Sequence, residues 1–161
     1  MNVRDTIEAC RAEGRAALVG YLPVGYPDVP GSIAAMTAMV EAGVDIVEVG
    51  LPYSDPLMDG PVIQAAVHTS MTNGSSVAHV LATVDAVSDT GAPTLVMSYW
   101  NPIERIGVDT FAHRLRRAGG VGVRRGGGGG GAIAHVAELT GALRVGPQAA
   151  GADPGPAAYG K

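Results

Sequence analysis

Residues 47–61 read VEVGLPYSDPLMDGP and set three carboxylates, Glu48, Asp55 and Asp59, within twelve residues. Glu48 interrupts the apolar run Asp45–Gly50 (DIVEVG), which reads as a strand with both faces covered. An ionised carboxylate without a partner is costly there. Desolvation raises the pKa of such a group and makes it a proton donor and acceptor near neutral pH. The plainer role is a salt bridge at the strand end, but Glu48 lies two residues before Gly50, at the rim where parallel strands carry their chemistry. Asp59 stands just ahead of an expected helix, so it is either an N-cap or a second site carboxylate that accepts from a ligand N–H. Its local sequence favours the cap. Asp55, between Ser54 and Pro56, suits a turn or a partner contact.

Other constellations carry less. His68, His79, His113 and His135 have no metal-ligand spacing, and no Ser-His-Asp or Cys-His set assembles. The glycine run trivially contains G-x-G-x-x-G, yet neither Lys-Ser/Thr nor a suitably placed acid follows it, so dinucleotide binding is not expected. A formal charge of −4 argues against nucleic acid or an anionic membrane as the main partner. The single cysteine, Cys10, makes no internal disulfide. The N-terminus lacks the apolar core of a signal peptide, and no run approaches the roughly 18 apolar residues of a membrane span. These features together point to the cytoplasm.

The elements that must position the acids alternate along the chain. Residues 3–13 suit a helix, Ala16–Tyr21 a strand, Val29–Ala42 a helix, and Asp45–Gly50 the strand that bears Glu48. Pro61 can open a helix at its first position. Ser75 or Ser76 can cap another, with Val77, Val80, Leu81, Val84 and Val87 on its apolar face. Pro93–Ser98 is a third strand, YWNPIERIG a loop, Asp109 the cap of a short helix, and Gly120–Val123 the start of a fourth strand. Short apolar strands alternating with helices, about 35 residues per unit, imply an α/β fold with a parallel sheet covered by helices. The pattern divides the chain into a folded part, residues 1–123, and a Gly/Pro/Ala-rich part, residues 124–161. From Gly119 to Gly131 nine of thirteen residues are glycine. Ala132–Leu143 can form a short helix, and the remainder reads as disordered.

DIVEVGLPYSDPLMDGPVIQ, preceded by YLPVGYPD and followed by VMSYWNP, resembles the tryptophan synthase alpha chain over about residues 3–122. The resemblance implies the (β/α)8 TIM-barrel family, of which only the first three to four β/α units are recognisable. It also implies a lyase of tryptophan biosynthesis that cleaves indole-3-glycerol phosphate to indole and glyceraldehyde 3-phosphate. Glu48 would be the acid/base at C3 of the indole ring, and Asp59 the carboxylate that holds the ring N–H. Tyr21, Met97 and Tyr99 would line the indole pocket. Pro52, Asp55, Pro56 and Asn101 would face a beta-chain partner in an alpha2beta2 heterotetramer. No metal or organic cofactor is implied for this chain, since pyridoxal phosphate belongs to the beta chain. A barrel of this type needs about 250 residues, and nothing in 123–161 matches the family's phosphate-binding or mobile loops. The second reading is a truncated, non-catalytic half-barrel that only binds a beta-type partner or itself.

Overall fold

The computed structural model describes residues 2–55, 59–125 and 133–135. Helix α1 (Val3–Ala12) is followed by β1 (Val19–Pro23), α2 (Val29–Glu41) and β2 (Ile46–Gly50). Then come α3 (Pro61–Thr72), α4 (Val77–Ser88), β3 (Thr94–Ser98), α5 (Trp100–Ile106), α6 (Val108–Arg117), β4 (Gly122–Arg125) and β5 (Ile133–His135). The sheet runs β1-β2-β3-β4-β5, with β1 to β4 mutually parallel and β5 antiparallel to β4.

Local chemistry sets the helix starts. Asn2 Oδ1 accepts from the Asp5 N–H at 2.9 Å, and Asp28 Oδ1 from the Gly31 N–H at 2.7 Å, so each side chain caps its helix. Pro61 takes the first position of α3, as its missing N–H allows. Every residue of β2 is buried, which is what a strand between two parallel neighbours and under helices requires. Val47, Val49, Val96 and Val123 turn one sheet face toward Met36 of α2, Val80, Val84 and Val87 of α4, Ile103 of α5 and Phe111 and Leu115 of α6. On the opposite face Ile46 and Leu95 meet Val3 of α1, which closes the N-terminal end of the strands.

Four expectations change. The segment expected as a loop after β3 is helix α5, because Pro102 falls in the first turn, where an N–H has no intrahelical partner. Asp109 does not cap α6: Gly107, at φ 89°, holds the N-cap, a conformation that favours glycine. Strand β1 is displaced toward Pro23 from the expected 16–21, and its proline is tolerated on an edge strand. Within the helix expected over 132–143, Ile133–His135 is instead a strand, with Arg124 opposite Ile133 and Gly122 opposite His135. The rest of that helix, and most of the segment read as disordered, lie outside the described residues.

Asp45 ties the sheet's lower end together. Its carboxylate accepts from Arg15 Nη1 at 2.7 Å, Arg15 Nη2 at 2.8 Å and the Leu18 N–H at 2.8 Å, linking the approach to β1 with the start of β2. The Arg15 side-chain hydrogen bond, then that of Leu18, hold the Asp45 carboxyl well below the usual carboxylate range. A depressed folded-state pKa stabilises the fold above the unfolded value of about 3.9 and loses that contribution as pH falls through the folded value. Asp45→Asn should therefore lower the melting temperature at pH 7. The gap from the parent chain should narrow steadily below about pH 4. Circular dichroism melts of both proteins across pH check this, and a gap that widens on acidification would contradict it.

Candidate functional site

Register places the site residues side by side. Tyr21, Glu48, Leu95 and Gly122 form one row across β1 to β4, and Pro23, Gly50, Met97 and Arg124 form the next row toward the strand C-termini. Alternation along each strand puts both rows on the face opposite the helical core. Gly50 is needed there for space, since a Cβ would stand 2.6 Å from Tyr21 Oη and 2.9 Å from its ring carbons. The Tyr21 side chain thus lies directly over the end of β2.

Glu48 is 5% exposed. Its Oε2 accepts from Arg124 Nη1 at 2.7 Å, a pair formed across 76 residues of sequence. The salt bridge weighed from the sequence is present, and it occupies one oxygen.

Asp59 is not the cap that its local sequence favours. Gly60, in extended conformation, is the N-cap of α3 and has no side-chain cap bond, and the Asp59 carbonyl accepts from Gln64 Nε2 at 2.8 Å. The carboxyl is left to the site. Burial pushes it up, while a hydrogen bond with Tyr99 works in the opposite direction. The Tyr21 phenol is also pushed up, first by burial and then by the charges of Asp59 and Glu48 and by Tyr99. The charges of both acids, together with Tyr99, thus reach the Tyr21 phenol. Half-buried Met97 sits in the second row of the same face.

The residues expected to face a partner lie beside these groups. Pro52 is half-buried, Asp55 and Asn101 are exposed, and Pro56 lies outside the described residues. Two contacts were not legible in the sequence. The rings of Tyr53 and Tyr99 stack with centroids 4.9 Å apart, and Asn101 Nδ2 donates to Tyr53 Oη at 3.1 Å. The other unread participant is Arg124, the partner of Glu48. Among the described residues no three His, Cys, Asp or Glu side chains cluster to hold a metal ion, and no helix is long and apolar enough to cross a membrane.

Parallel strands with helices packed on one face and acids toward their C-terminal ends are arranged as in part of a (β/α)8 barrel. The family model described as tryptophan synthase alpha chain matches residues 7–123. The chain belongs to the tryptophan synthase alpha chain family. It is 60% identical over 116 residues to the tryptophan synthase alpha chain of Salinispora tropica, a match covering 72% of this chain and 43% of that one. It is 56% identical over 119 residues to that of Mycobacteroides abscessus, covering 74% and 45% respectively. The solved tryptophan synthase of Mycobacterium tuberculosis superposes with a TM-score of 0.74 at 55% identity, over 75% of this chain and 47% of that chain. The subunit alpha of Legionella pneumophila gives 0.72 at 34% identity, over 76% and 48%. The chain spans just under half the length of the relatives it matches. Arg124, the partner of Glu48, is the first residue past the family segment.

Proposed function

We propose that this site performs the proton transfers of indole-3-glycerol phosphate cleavage. Glu48 as the acid delivers a proton to C3 of the indole ring, and the positive charge that develops spreads to the ring nitrogen. Asp59 accepts the ring N–H and stabilises that charge, which requires Asp59 in its ionised form. The Glu48 carboxylate then takes the proton of the side-chain hydroxyl. The bond from C3 to that carbon breaks, its electron pair restores the aromatic ring, and glyceraldehyde 3-phosphate departs as the aldehyde. Glu48 gives one proton and recovers one, so the cycle needs neither metal nor organic cofactor in this chain.

Tyr21, Met97 and Tyr99 enclose the ring in this reading. Pro52, Asp55, Pro56 and Asn101 meet a beta chain, which carries the pyridoxal phosphate and completes an alpha2beta2 assembly. The reading carries a cytoplasmic location with it.

The observation that carries the proposal is that Tyr21 and Glu48 share one row of the sheet, with the Tyr21 phenol over Gly50 and raised in part by the charges of Asp59 and Glu48. The two carboxylates have different partners, Arg124 for Glu48 and Tyr99 for Asp59, so they are distinct groups within the candidate site. Indole alone tests the ring site. Titrated into the 161-residue chain and followed by NMR, it should bind, and Asp59→Asn should weaken binding about tenfold, the loss of one hydrogen bond to a charged group. Equal affinity in both proteins, or no binding to the folded parent chain, would count against the reading.

A further inference from the structure

Tyr53 takes no part in the proposed chemistry, yet its contacts bridge two segments of the site. It lies three residues past the end of β2 and is half-buried. Its ring stacks on Tyr99 at 4.9 Å with an interplanar angle of 27°, and its hydroxyl accepts from Asn101 Nδ2 at 3.1 Å. Tyr99 is the N-cap residue of α5, in extended conformation, and its ring projects from the helix start. Offset-stacked aromatic rings restrict one another's rotation, and here the anchoring ring is itself held by the Asn101 amide.

We infer that Tyr53 is a positioning residue, which holds the Tyr99 ring where its hydroxyl meets the Asp59 carboxyl while touching no substrate itself. Tyr53 sets Tyr99, Tyr99 sets Asp59, and Asn101 fixes the first member from the adjoining exposed face. The other groups of the candidate site are Tyr21 from β1, Glu48 from β2 and, through Glu48, Arg124 from β4. The stack joins Tyr53 to Tyr99, so the Tyr99 link can be tested separately.

The inference takes its functional meaning from the proposed role of Asp59, but its test uses no substrate. In the intact chain with carbon-13-labelled aspartate, the Asp59 signal is assigned by its loss in Asp59→Asn and titrated by NMR. Tyr99→Phe removes the hydrogen bond that opposes the effect of burial, and should raise the midpoint. Tyr53→Leu should raise it in the same direction by a similar amount. The double variant should match Tyr99→Phe alone, because both changes break one linkage. Tyr53→Phe, which keeps the stack, should retain most of the parent midpoint.

An unmoved midpoint in Tyr53→Leu, or additive shifts in the double variant, would overturn the inference. If Tyr53→Leu fails to fold, nuclear Overhauser contacts between the Tyr53 and Tyr99 rings in the unaltered chain decide instead, and their absence would overturn it. Failure of indole to bind would sink the proposed function and leave this linkage intact, so the two failures are distinguishable.

Discussion

Given indole-3-glycerol phosphate, the 161-residue chain should release indole at least about 10²-fold more slowly than the full-length Mycobacterium tuberculosis relative. Glu48→Gln should take what turnover remains to background. The first expectation rests on what the site contains. In the proposed function its acids, tyrosines and Met97 are all assigned to the ring end of the substrate. Among the described residues Arg124, on the site face, is paired with Glu48 at 2.7 Å. The phosphate end of the substrate meets no matched group among the described residues. Binding energy from a remote, non-reacting group is what aligns the reacting atoms, so its loss falls on turnover and not only on affinity. The second expectation rests on chemistry: glutamine has the shape of the acid but no proton to give, and general acid–base groups contribute roughly 10²–10⁴-fold. A coupled assay for glyceraldehyde 3-phosphate measures both. Turnover equal to that of the full-length relative would refute the first, and activity indifferent to Glu48→Gln would refute the second together with the proposed function.

What could be read from the sequence, and what could not, follows the range of the interactions. Strand β2 and helices α2, α3 and α4 were legible because burial writes its period into neighbouring residues and Pro61 marks the start of α3, although Ser76, at the N-cap of α4, makes no side-chain cap bond. Helix α5 was hidden because Trp-Asn-Pro carries turn signals, although proline costs little in a first turn. Asp59 illustrates a subtler limit. Its distance from Pro61 allowed a cap, but the extended Gly60 took that position, and only the tertiary structure brings Tyr99 to its carboxyl. The family motif pointed to the same residue by another route. The contact between Glu48 and Arg124 spans 76 residues and has no local signature, so the sequence supplied the possibility of a salt bridge and not its partner. Ile133–His135 shows the weakness of a short apolar stretch as evidence, since pairing with β4, not local period, makes it a strand.

Phe111→Ala should abolish the cooperative thermal transition of the chain. Phe111 is its only phenylalanine, is 0% exposed, and belongs to the same cluster as Leu115, Ile103, Val84, Val87 and Val123. Truncating a fully buried phenylalanine costs about 3–5 kcal/mol, from lost burial and from the cavity left behind. A typical domain has only about 5–15 kcal/mol in total, and small ones tend to the low end. Phe111→Leu keeps most of the volume and should cost about 1.5 kcal/mol or less, so its melt should remain cooperative. A circular dichroism melt of Phe111→Ala within a few degrees of the parent would refute the expectation. The consequence reaches the site through α6. Gly120, at the turn into β4, lies so close to that helix that a Cβ there would stand 2.3 Å from Leu115 Cδ1. Val123 of β4 shares the Phe111 cluster, and the next residue, Arg124, holds Glu48. A void under α6 therefore loosens the strand that fixes the partner of the candidate acid, so indole binding should fall with the melt and not independently of it.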